Sequence, residues 1–125
     1  MEQHSFAINY IKSNNLIGIK AGTSRTTYLE IWMVVVENRI FARSWGLAEK
    51  SWFNTFLSDP IVGKIKCGDV EISITAKIPT DLVPLSDKIS QAYIDKYTAP
   101  ENLKYAQGIA GNVHVEKTME FIVIE

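Results

Sequence analysis

From Val70 to Ile78 apolar and polar side chains alternate without interruption. Val70, Ile72, Ile74, Ala76 and Ile78 face one way, and Glu71, Ser73, Thr75 and Lys77 face the other. A period of two belongs to a β-strand with one buried face, because a helix would scatter the same apolar groups around its circumference. Gly68-Asp69 stands directly before this segment and Ile61 to Cys67 precedes it, so the two segments read as a hairpin. A hairpin alone is marginal in water, so the remaining chain has to supply more strands and a cover for the apolar face.

It does so in a readable order. Leu16 to Ala21 is a short strand. Thr26 to Glu37 is β-branched, aromatic and apolar, with a solid run from Ile31 to Val36, which predicts a strand buried on both faces. Glu37, Asn38 and Arg39 form a turn into a strand from Ile40 to Trp45, which Gly46 ends. Val115 to Ile124 closes the chain as a sixth strand.

Helical spacing appears in Ser5 to Ser13 (Phe6 and Tyr10, Ala7 and Ile11) and in Glu49 to Ser58 (Trp52 and Phe56, Phe53 and Leu57). It appears again in a helix capped by Asp81, with Pro84 in its first turn, that runs to about Tyr97. Leu85, Ile89, Ala92, Tyr93 and Tyr97 make the buried stripe of that helix, and a short helix is expected over Glu101 to Gln107. The fold class is therefore mainly β with helices (α+β). The expected architecture is a six-stranded antiparallel barrel with an N-terminal helix, a helix between the two hairpins, and one or two helices before the last strand.

The 125 residues are expected to form a single domain, 1–125, with 46% hydrophobic and 22% charged residues arguing for an ordered core. Thirteen basic against fourteen acidic residues leave a net charge of −1, which favours neither nucleic acid nor a membrane surface as partner. The longest apolar run is six residues, far short of the ~20 that span a bilayer. Glu2, His4, Ser5 and Asn9 occupy the place where a secretory signal would be apolar. With one cysteine, Cys67, beside the hairpin turn, the expectation is a reducing, cytoplasmic location and an inert strand thiol.

No phosphate loop, dinucleotide glycine fingerprint, nucleophile elbow or paired-cysteine metal motif occurs, and His4 and His114 are isolated, so no metal site is expected. Chemistry concentrates between Gly22 and Pro60, where Arg25 and Arg43, the hydroxyls of Thr23, Ser24, Thr26, Thr27 and Ser44, and Trp32, Trp45 and Trp52 fall in one window. A phosphorylated aromatic ligand needs a cationic fork, hydroxyl donors and a flat apolar wall. Arg43-Ser44-Trp45-Gly46 offers all of these in four residues. The plainer reading is that Arg43 makes a surface ion pair while the tryptophans serve a core or a dimer interface.

The ordered set Ser24-Arg25-Thr26-Thr27, Ile31-Trp32-Met33-Val34-Val35-Val36 and Ile40-Phe41-Ala42-Arg43-Ser44-Trp45-Gly46 resembles the flavin and deazaflavin split-barrel proteins. Trp52-Phe53, Asp59-Pro60 and the hairpin through Gly68 continue the resemblance. Within that superfamily the chain is most similar to domain-of-unknown-function family 2255, over about residues 16–124, and Ala92-Tyr93-Ile94-Asp95-Lys96-Tyr97 resembles that family's later helix. The resemblance implies a split β-barrel that is usually a homodimer. It also implies binding of FMN or a deazaflavin coenzyme and reduction of a small electrophile such as a quinone or nitro compound.

By position it implies that Arg43 and Ser44 hold the cofactor phosphate and that Arg25 and Thr27 supply charge and hydroxyl before the preceding strand. It further implies that Trp52 lies near the cofactor, so that Trp52 or Trp45 is expected to wall the ring, and that Tyr97 is a candidate catalytic residue near the substrate. The chain departs from the pattern where Trp45-Gly46-Leu47 replaces a small glycine-rich turn. That bulk points to the alternative, a non-enzymatic small-ligand-binding or structural dimer module that kept the barrel and lost the cofactor.

Overall fold

The computed structural model describes residues 2–21, 27–43, 62–100, 102 and 118–124. Helix α1 spans Glu2–Ser13 and is followed by β1 (Ile17–Ala21), β2 (Leu29–Ile31), β3 (Val34–Val36) and β4 (Arg39–Arg43). Then come β5 (Gly63–Cys67), β6 (Val70–Lys77), helix α2 (Leu82–Lys96) and β7 (Thr118–Val123). The expected helices over Glu49–Ser58 and Glu101–Gln107 lie outside the described residues, Asn102 excepted.

The strands form one antiparallel sheet in the order β2-β1-β5-β6-β7-β4-β3. The predicted hairpins fix much of it. Cys67 pairs with Val70 around Gly68, whose φ of 67° suits a residue without a Cβ. Val36 pairs with Arg39 around Glu37 and Asn38, at φ 52° and 61°. Two successive residues at positive φ give the turn the twist that antiparallel strands require.

The six-stranded split barrel expected from the sequence is corrected, among the described residues, to a seven-stranded half-barrel. The segment predicted as one strand, Thr26–Glu37, breaks at Trp32-Met33 into β2, which pairs with β1, and β3, which pairs with β4. These two pieces are the opposite edges of the sheet. Flat, seven strands would hold their edges about 29 Å apart at a ~4.8 Å spacing. Three peptide steps from Ile31 to Val34 reach at most about 11 Å, so the sheet must curl until its edges nearly meet.

Alternation then sorts the side chains. Ile17, Ile19, Ile40, Ala42, Ile65, Cys67, Ile72, Ile74, Met119 and Phe121 fill the inside of the curl, which Ala7, Ile8 and Ile11 of α1 close. On the outer face of β3 and β4, Val34, Val36 and Phe41 meet Leu85, Ile89, Tyr93 and Tyr97 from α2 and its end. β3 and β4 are thus buried on both faces, because each face has its own helix; for β3 the Ile31–Val36 run predicts this, whereas Leu29 and Glu30 of β2 are exposed. In β6, Ile72 and Ile74 are fully buried, while Val70 at its start and Ile78 just past its end are exposed.

Asp81 precedes α2 as expected but makes no side-chain cap. Its carboxylate instead receives two hydrogen bonds from Arg39, at 2.8 and 3.0 Å. Arg39 also donates to Glu120 at 3.0 and 2.9 Å, joining β4, β7 and the start of α2. No helix among the described residues is long and apolar enough to cross a membrane.

Candidate functional site

Strand direction places the flanks of the segments that carry most of the expected site residues. β1, β4 and β6 run one way, and β2, β3, β5 and β7 run the other. Ala21 and Thr27, which flank residues 22–26, and Arg43 and Val62, which flank residues 44–61, therefore lie at the same end of the sheet. Arg25, Ser44, Trp45 and Trp52 belong to these two segments and lie outside the described residues. Thr27 is exposed.

Arg43 ends β4 on its outer face and is only 2% exposed. Its Nε donates to Thr118 Oγ1 at 3.1 Å, Nη1 to Ser90 Oγ at 2.7 Å, and Nη2 to the Ser86 carbonyl at 2.9 Å. The guanidinium is thereby locked between β7 and α2. Desolvation lowers its pKa from the ordinary arginine value. Its own N–H donates to the Tyr93 hydroxyl at 2.8 Å, and that hydroxyl in turn donates to the Trp32 carbonyl at 3.3 Å.

Tyr97 is fully buried at the C-terminal end of α2. Its hydroxyl donates to the Asn15 carbonyl at 2.6 Å and accepts from the Met33 N–H at 3.2 Å. Its ring stacks on Trp32 with centroids 3.9 Å apart and planes 8° from parallel. Burial is the main cause that raises its pKa far above the ordinary tyrosine value. Lys96 Nζ donates to the Met33 carbonyl at 2.6 Å and lies 5.1 Å from the Tyr97 ring centroid. Desolvation pushes this amine down to about 8.

Tyr93, Lys96 and Tyr97 therefore bind the peptide groups of Trp32 and Met33, the two residues at which the sheet edge changes partner. Backbone groups that lose ladder partners inside a protein need replacements, and these side chains supply them. Among the described residues no buried side-chain nitrogen or oxygen lacks a hydrogen bond.

Sequence reading singles out Arg43 and Tyr97 but misses Ser86, Ser90, Lys96 and Thr118. A signal was present for the helix: Ser86, Ser90, Tyr93 and Tyr97 follow one another at spacings of four, three and four, a polar edge along the apolar stripe. Thr118 gave none, because its link to Arg43 crosses 75 residues. Cys67 is a buried strand cysteine, as expected, and desolvation pushes its thiol up to about 11.

Among curated proteins none matches this sequence. Among solved structures the chain is similar to the conserved hypothetical protein Rv2991 from Mycobacterium tuberculosis, at 12% identity and a TM-score of 0.56. That likeness covers 97% of this chain and 78% of the other, and it bears on the fold alone. The family described as uncharacterized proteins conserved in bacteria, DUF2255, matches residues 10–121, which takes in nearly the whole described sheet, helix α2 and the last turn of α1. The chain belongs to the DUF2255 family.

Proposed function

We propose that this chain is a cofactor-binding member of the flavin and deazaflavin split-barrel superfamily that reduces a small electrophile such as a quinone or nitro compound. The observation that carries the reading is the common sheet end shared by Thr27, Arg43 and the flanks of both segments that contain Arg25, Ser44, Trp45 and Trp52. A buried guanidinium with a locked rotamer, followed at once by a hydroxyl and an indole, has the chemistry of a phosphate and ring site. Arg43 and Ser44, with Arg25 and Thr27, would hold the phosphate of FMN or a deazaflavin coenzyme, and Trp45 and Trp52 would wall its ring. The bound group would supply hydride transfer, while the chain binds it, orients it and keeps water out. Tyr97 is left to hold the fold, since its hydroxyl already serves Asn15 and Met33. A homodimer in a cytoplasmic setting belongs to the same proposal.

A second reading rests on a different observation. Nε, Nη1 and Nη2 of Arg43 each already donate to protein atoms, which favours a binding module that kept the barrel without the cofactor. Fluorescence polarisation titrations with FMN and with the deazaflavin coenzyme separate the two. Saturable micromolar binding, weakened roughly tenfold to a hundredfold by Arg25→Ala, supports the cofactor reading, that being about 1.5–3 kcal/mol for a charged phosphate contact. No binding of either compound to folded protein refutes it and leaves the second. Arg43→Ala is the poorer probe, because it also unties α2 from β4 and β7.

A further inference from the structure

A second polar feature lies apart from the sheet end. The last turn of α1, strand β3 and the last turn of α2 enclose an open groove of about 480 Å3, within the usual size range for a small-molecule site. Ile11, Val35 and Ala92 give it an apolar wall, and Lys12, Asp95 and Lys96 reach its polar side.

Lys96 is unlike the exposed lysines. Its stem is half-buried, and Nζ is anchored to the Met33 carbonyl at 2.6 Å. A neutral amine can donate one hydrogen to that carbonyl and still keep its lone pair free. The flanking charges also narrow the ligand class. Both α1 and α2 end at the groove, so their carbonyl termini and Asp95 oppose a bound anion, while Lys12 and Lys96 oppose a bound cation. A neutral ligand with a short apolar tail fits best.

We propose that the groove is a binding site for small neutral aldehydes or ketones and that Lys96 captures them as an imine. In that step the Nζ lone pair attacks the carbonyl carbon, a C–N bond forms, and the C=O π pair moves to oxygen. Protons pass from nitrogen to oxygen, water leaves, and a C=N bond remains with no net oxidation. Desolvation supports the reading, because it pushes the amine down to about 8 and so raises its unprotonated fraction well above that of an ordinary lysine. The titratable groups around it are Tyr97 and Asp95 at the end of α2 and Lys12 across the groove. The proposal uses no residue of the cofactor reading and stands or falls separately from it.

Incubation of the full chain with butanal and cyanoborohydride, followed by peptide mass mapping, tests it. An exposed lysine near its ordinary pKa is well under about 1% unprotonated at pH 8. Lys96 should be alkylated at least about tenfold faster than Lys88, whose amine is held by the Glu37 carboxylate at 2.6 Å, with a rate that rises through pH 8. In Lys96→Arg the fast phase should vanish while labelling elsewhere continues. Uniform labelling of the lysines, or a Lys96 rate that climbs only near pH 10.5, overturns the proposal. Both comparisons are made within the wild-type chain, so they decide the matter even if the variant fails to fold.

Discussion

Replacing Tyr97 by Phe removes one oxygen and leaves the ring, so it isolates what the hydroxyl does for the break between β2 and β3. The stack on Trp32 and the apolar burial stay in place, and no cavity larger than the hydroxyl opens. Two backbone groups lose a partner. Asn15 is exposed, so water can replace the hydroxyl at its carbonyl and little of that bond's net worth is lost. Met33 is fully buried, and its N–H has no access to water. An unsatisfied buried donor costs about 1–3 kcal/mol, so the sum is about 2 kcal/mol. For a domain of this size that lowers Tm by roughly 6–12 °C. Urea unfolding followed by tryptophan fluorescence should show a lower midpoint at unchanged slope. A loss under about 0.5 kcal/mol would refute the argument that side chains of α2 stand in for the missing ladder bonds. A Tyr97→Phe protein of full stability but no reductase activity would return Tyr97 to the catalytic role that the family resemblance implies.

Arg39→Met should cost about 2–3 kcal/mol in the same assay, because it strands the largely buried carboxylate of Glu120 as well as releasing Asp81. The Arg39 guanidinium holds the Asp81 carboxyl below its ordinary pKa. Its stabilising contribution is therefore complete above about pH 4 and is lost as pH falls further. Asp81→Asn should flatten the dependence of stability on pH between about 2 and 4, measured by urea midpoints across that range. Cys67 should resist iodoacetamide at pH 8 in the native protein and react at once in urea, since burial raises its pKa to about 11 and blocks access. Rapid native alkylation, counted by intact mass, would contradict the placement of β5 inside the curl.

The alternation from Val70 to Ile78, the φ-positive turns at Asn38 and Gly68, and the stripe Leu85-Ile89-Tyr93-Tyr97 were legible because each depends on neighbours within a few residues. The solid run Ile31–Val36 foretold burial on both faces, which holds for β3 but not for β2, where Leu29 and Glu30 are exposed. The same run concealed its break. Nothing in its composition marks Trp32-Met33, since the strand parts there where its two halves pair with β1 and β4 on opposite sides of the sheet.

Polar partners were equally hidden. Asp81 carries the local signature of a helix cap, yet a guanidinium from 42 residues away offers its carboxylate two charge-assisted bonds and takes it. Arg43 reads as a ligand-binding cation, and only the packing of α2 on β4 shows that Ser86, Ser90 and Thr118 hold it in place. Local periodicity and turn chemistry thus determined which elements form and which faces they bury. Tertiary structure decided how those faces curl into a half-barrel and which distant polar groups meet, because curvature and long-range hydrogen bonds depend on chain segments that share no local pattern.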